Sequence, residues 1–198
     1  MSKYLERALP ANRRRRLLGC ALAALGALAA PFGLANPVPA NVNLERSVKA
    51  AFLYKFLGYT EYPAASFGDA STPFIVGVVG ADDMAAELSR TVSGRYVNNR
   101  PIVVKALRES DAPGALHLLF IPGDDCARVA RLLKAARQGA VLVVTECEDG
   151  LQQGSVINFK IVEQRVRFDV SLEAADRNNV KLSSRLLTVA NQVHKGPL

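Results

Sequence analysis

Four short apolar runs, set apart by helix-length polar or amphipathic stretches, limit what this chain can fold into. Phe74–Val79, Ile102–Ala106, Leu116–Ile121 and Ala140–Val144 are rich in Val, Leu and Ile and show little polar alternation. Runs of that kind fit strands covered on both faces. Asp82–Val92 predicts a helix with acidic residues in its first turn, where the helix dipole favours them. Asp124–Gln138 predicts an amphipathic helix with Val129, Leu132, Leu133 and Ala136 inward, stopped by Gly139. Strands alternating with helices predict an α/β fold, a mostly parallel central sheet with helices on both faces.

The ends of the pattern differ. Leu44–Leu57 predicts a helix with Leu44, Val48, Ala51, Phe52 and Phe56 on its inner face, Asn43 as its cap and Gly58 as its stop. Val156–Val162 and Arg165–Val170 flank Glu163-Gln164 and predict an antiparallel β-hairpin. In its second strand Val166, Phe168 and Val170 share one face, and Arg165, Arg167 and Asp169 the other. A C-terminal helix over Ser183–Val193, with Leu186, Val189, Ala190 and Val193 at helical spacing, completes the reading. With no repeat or Gly/Ser linker in view, residues 42–194 are expected to form a single α/β domain, followed by a tail at 195–198.

The first 35 residues stand outside this pattern. Lys3, Arg7 and Arg13 to Arg16 precede an apolar stretch from Leu17 to Ala35, the order of a secretory signal peptide. Gly33-Leu34-Ala35 offers a cleavage site and Val38-Pro39-Ala40 a second one. Residues 36–41 form an extended lead-in. A spanning helix needs ~20 apolar residues, whereas Leu17–Ala30 supplies 14 before Pro31. Over the whole chain 25 Lys and Arg face 18 Asp and Glu. Removing the leader leaves 19 and 17, a net charge of +2. The basic excess belongs to the export signal, so nucleic-acid binding loses its compositional support.

Cys126 and Cys147 remain after export. Each lies just past the C-terminal end of an apolar strand, those ending at Ile121 and Val144. If these strands are neighbours, a disulfide is within reach; the alternative is two separate thiols. Asp124, Asp125, Glu146, Glu148 and Asp149 share that sheet edge, where α/β proteins usually bind ligands. Helix capping and a solvated loop is the plainer account, with a metal-using enzyme as its rival. Val79-Gly80-Ala81 resembles a phosphate loop, but Asp82 and Asp83 would repel phosphate. His117 sits inside a buried run and reads as a satisfied core residue. No Ser–His, Cys–His or zinc motif is present, so no catalytic residue, metal or cofactor is expected. Phe52, Tyr54, Phe56, Tyr59, Tyr62 and Phe67 crowd the region after Ala51 and offer either a core helix or an interaction patch.

Four segments together resemble the YfiR family of periplasmic proteins: VKAAFLYKFLGYTEYP (Val48–Pro63), PFIVGVVGADDM, GSVINFKIVEQRVRFDVSLEAA (Gly154–Ala175) and VKLSSRLLTVA (Val180–Ala190). The chain departs from that family in Tyr62, Ser171 and Asn179, which stand where Trp, Asn and Gly are common. It also lacks cysteines in the first and middle strands, so any redox role would rest on Cys126 and Cys147. The resemblance implies a periplasmic repressor that binds the sensory part of an inner-membrane diguanylate cyclase and lowers cyclic-di-GMP. An outer-membrane lipoprotein is the implied antagonist. The expected contact surface is Phe52, Tyr54, Phe56 and Tyr59, with Arg165 and Arg167 of the hairpin, and a homodimer through one of these surfaces is a further expectation. The alternative is a small-ligand sensor, with its site near Gly123 and Glu146.

Overall fold

The computed structural model describes residues 40–196 except 113, 137 and 138, with backbone alone at 40, 135 and 136. The leader, the cleavage bond after Ala35 and the inward placement of Ala136 lie outside the described residues. In chain order the elements are α1 (Ala40–Gly58), β1 (Thr60–Glu61), a 3-10 turn at Ala64–Ser66, β2 (Phe74–Val79), α2 (Asp82–Val92), β3 (Tyr96–Val97), β4 (Arg100–Leu107) and β5 (Leu118–Ile121). They continue with α3 (Cys126–Ala136), β6 (Leu142–Thr145), β7 (Ile157–Val162), β8 (Arg165–Ser171), α4 (Leu172–Arg177), β9 (Lys181–Leu182), α5 (Ser184–Val189) and β10 (Gln192–His194).

Eight strands form one curled sheet in the order β10-β8-β7-β6-β5-β2-β4-β3, and β1 pairs with β9 separately. Neighbours from β4 to β7 run parallel, whereas β7–β8 and β3–β4 are antiparallel. The fold is therefore the mixed α/β class, mostly parallel, with the β7–β8 hairpin in place. Alternate residues of the central strands feed two cores. Val76, Val78, Leu118, Phe120, Leu142 and Val144 pack with α1 and α2. Leu119, Ile121, Val141 and Val143 face the opposite way and pack with Val129 and Leu133 of α3. Burying such a side chain contributes about 1.5–3 kcal/mol.

Both hairpins turn through two residues with positive φ, Asn98-Asn99 (49° and 62°) and Glu163-Gln164 (49° and 61°). That geometry matches the twist of the flanking strands. Asn tolerates it well, and Asn98-Asn99 was a readable signal for β3, which the strand pattern alone does not reveal.

Several expectations are corrected. α1 begins at Ala40, so the end of the expected lead-in is helical and Asn43 lies inside the helix rather than capping it. Its inner face is Ala50, Leu53, Phe56 and Leu57; Leu44 is 64% exposed and Ala51 is exposed. The last helix stops at Val189, because Asn191 is drawn into the sheet. Its N–H donates to the Phe168 carbonyl at 2.8 Å and its Nδ2 to Asp169 Oδ1 at 2.7 Å. The chain then runs parallel to β8 as β10. Asp169 is fully buried, pairing with Lys160 at 2.8 Å.

Candidate functional site

The order β4-β2-β5-β6 places the topological switch point between β2 and β5. Ligands of open α/β sheets bind beyond the carboxyl ends of the strands at such a point. Here the chain's own side chains occupy it. Arg128, from the first turn of α3, donates from Nη1 to the Pro122 carbonyl at 2.7 Å and pairs through Nε with Glu109. Gly80 has φ +68°, and a Cβ there would stand 2.7 Å from Arg128 Nη2. A backbone with no side chain is what lets the guanidinium lie against the end of β2.

On the other face α1 reaches over the same edge. Lys49 Nζ lies 2.6 Å from Glu146 Oε2 and 2.6 Å from Glu45 Oε1. Glu146 Oε1 accepts from the Gly123 N–H at 2.6 Å. Burial works against the Lys49 charge, yet the hydrogen bonds and charges of Glu146 and Glu45 outweigh it and hold the ammonium above its ordinary pKa. Beside this clasp lies an open groove of about 330 Å³ lined by Glu45, Lys49, Asp124, Glu146, Phe159 and Lys160.

The acidic residues of this edge have structural partners. Asp125 Oδ1 accepts from the Arg128 N–H at 3.0 Å and so caps α3. Asp83 pairs with Arg46 at 2.5 Å, across the start of α2, where a phosphate would otherwise be received. Asp124, Glu148 and Asp149 are exposed. Among the described residues no three His, Cys, Asp or Glu side chains converge as metal ligands do.

Strands β5 and β6 are neighbours, and Cys126 and Cys147 are bridged with their Cα atoms 5.4 Å apart. The bridge ties α3 to the end of β6. Cys147 is buried, and its carbonyl accepts from Asn158 Nδ2 at 2.9 Å. Asn158 Oδ1 in turn accepts from Thr145 Oγ1 at 2.6 Å. This polar network lies beneath Gly150, where a Cβ would collide with both side chains.

His117 is a satisfied core residue. Its Nδ1 accepts from the Ile75 N–H at 3.0 Å and its Nε2 donates to the Ser66 carbonyl at 3.1 Å. Phe67 stacks on its ring with centroids 4.5 Å apart, and the Arg100 guanidinium lies 4.1 Å from the Phe67 ring centre. Tyr62 packs edge-on against the same group.

The expected contact residues do not form one patch. Phe56 is 2% exposed and packs with Phe52, Phe159 and Phe168, so it belongs to the core instead of the surface. Phe52 is half-buried in the same cluster. Tyr54 lies half-buried with the Arg95 guanidinium 5.1 Å from its ring centre. Tyr59 is half-buried too, and its carbonyl accepts from the Ser183 N–H at 2.9 Å. Arg165 and Arg167 are exposed on the hairpin. Sequence reasoning missed Lys49 and Arg128. For Lys49 a signal existed, since Glu45 lies one helical turn earlier. Arg128 carried none, because its acceptors are backbone carbonyls and a glutamate from other segments.

A family model described as YfiR/HmsC-like matches residues 46–191. No curated protein matches the sequence. Among solved structures, the chain is similar to a conserved domain protein from Vibrio cholerae O1 biovar El Tor strain N16961, with a TM-score of 0.51 at 10% identity. The likeness covers 75% of this chain and 60% of that one, so this chain spans under two thirds of its length. At that identity the likeness concerns the fold alone.

Proposed function

This chain belongs to the YfiR/HmsC-like family of periplasmic regulators of cyclic-di-GMP signalling, and on that premise we propose that it binds and represses the periplasmic sensory part of an inner-membrane diguanylate cyclase. The family is regulatory rather than catalytic, and no catalytic residue is needed for this role. Repression requires that the protein hold the inactive state of the cyclase more tightly than the active one; each tenfold preference is worth about 1.4 kcal/mol. An outer-membrane lipoprotein competing for the same surface would relieve the block, and a homodimer would present that surface twice. The single observation that carries the reading is the family match, which runs from α1 to the chain just after α5.

We place the contact surface on Tyr54 of α1, on Tyr59 just after that helix, and on Arg165 and Arg167 of the hairpin. Tyrosine and arginine are the residue types typical of interface hot spots. Export rests on the basic and apolar leader, and no described helix is long and apolar enough to cross a membrane. Capture of the cyclase's purified periplasmic part tests the proposal. Alanine at Tyr54 and Tyr59 together should weaken capture at least tenfold while circular dichroism stays native. Undiminished capture by that variant would overturn the placement, and no capture by the unaltered protein would overturn the partner.

A small-ligand sensor is the second reading, favoured by the groove of about 330 Å³ beside Gly123 and Glu146. A metabolite that raises the melting temperature through this groove would be expected on that reading.

A further inference from the structure

We propose that the outer edge of β4 receives an extended acidic segment of a partner protein as an added strand. The inner edge of β4 is fully used, pairing with β2 from Ile102 to Leu107. Its outer edge meets only β3, at Arg100 and Pro101. The Leu107 carbonyl accepts from the Gly80 N–H on the β2 side. Strand alternation then turns Val103 and Lys105 toward β2 as well, and turns the amides and carbonyls of Ile102, Val104 and Ala106 outward. Arg100, which pairs with Val97 of β3, has the same parity and confirms that direction. Among the described residues no strand meets these three outward positions.

Sheets usually shield such an edge. The opposite edge of this sheet is a strand of three residues, β10. On β4 the open stretch is twice that length. The neighbouring surface offers apolar seats for alternate side chains of an added strand. Val103 is 42% and Tyr96 63% exposed, and a groove of about 350 Å³ runs beside them past Val92 and Ile102.

Charge selects the occupant. Arg95, Lys105 and Arg108 are exposed along this rim, and among the described residues none has a carboxylate ion-pair partner. Nearby carboxylates are already engaged, Glu87 with Arg90, Glu109 with Arg128, and Asp111 with the Arg108 backbone N–H at 2.9 Å. An acidic segment complements the rim. A second copy of this chain would bring two basic rims together and is disfavoured. In such recognition main-chain hydrogen bonds supply affinity and the alternating side chains supply specificity. The proposal is independent of the cyclase assignment, although Arg95 of this rim also lies 5.1 Å from the Tyr54 ring centre.

Amide hydrogen exchange by NMR on the purified protein tests it, with a capped seven-residue peptide alternating Asp and Val as the probe. At saturation the Ile102, Val104 and Ala106 amides should exchange at least tenfold more slowly, while those of Val103 and Lys105, already bonded to β2, change little. Lys105→Glu should weaken the acidic peptide at least tenfold and should favour a peptide with Lys in place of Asp. Val104→Pro removes one outward N–H and should abolish binding; Lys105→Glu leaves the backbone intact and decides the matter if the proline variant does not fold. Absence of protection at the three amides, equal affinity for acidic and basic peptides, or self-association through this edge in sedimentation would each overturn the proposal.

Discussion

A buried histidine bonded at both ring nitrogens joins two backbone segments in one protonation state. His117 Nδ1 accepts from Ile75, so a proton placed there breaks the bond. Burial holds the His117 pKa below its ordinary value, the Ser66 carbonyl pulls the other way, and the nearby Arg100 charge adds to the lowering. The unfolded chain takes up its proton near pH 6.5, and the folded chain only at lower pH. Stability from this residue is therefore complete above about pH 6.5 and declines as pH falls from there toward the folded value. Melting temperatures at pH 7.5 and 5.5 should show a larger loss for the unaltered protein than for His117→Asn; parallel losses would refute the account. His117 was legible in the sequence because it stands in an unbroken apolar run. Asp169 was not: alternation put it on one face with Arg165 and Arg167, and only the arrival of Lys160 and Asn191 from other segments explains its burial.

Among the elements, the boundaries of β2 and α2 were readable from the sequence, and the inner face of α1 was not. α1 carries Val48, Ala50, Ala51, Phe52, Leu53, Phe56 and Leu57, apolar residues on every side. Periodicity orients a helix only when one side is polar. Contact with the sheet and with the hairpin aromatics chose Leu53 and Leu57 over Leu44 and Ala51. The C-terminal element misled for a related reason, since Val189, Ala190 and Val193 keep helical spacing but β10 gains a ladder along β8. The Cys126–Cys147 bridge joins two elements across a separation of 21 residues. Closing a loop of that size stabilises by about 3 kcal/mol in the chain-entropy model. For a domain of this size each kcal/mol shifts the melting point by about 2–4 °C. The double variant Cys126→Ala with Cys147→Ala is thus expected to melt roughly 6–12 °C lower in calorimetry. An unchanged melting point, or two free thiols by mass spectrometry of the non-reduced protein, would contradict it.

For the whole molecule, charge sets a basic leader, which we read as an export signal, apart from the rest of the chain. Cleavage after Ala35 leaves a nearly neutral protein of net charge +2. α1 starts at Ala40, so a cut after Ala40 would fall within the first turn of a helix, whereas Ala35 precedes it. N-terminal sequencing of periplasmic material is expected to begin at Asn36; recovery of the intact leader in cytosol would defeat the export assignment. The amino acids in order were enough to determine the α/β class, the hairpin and the two strand ends that carry the cysteines. These follow from local periodicity and composition, which act between residues close in sequence. Only the tertiary structure decided that Arg128 and the Lys49–Glu146 clasp fill the switch point, that Phe56 is core, and that β4 keeps an open edge. Each of these depends on groups 19 to 112 positions apart or on a strand's unpaired side, and no local pattern encodes which distant segment will arrive there.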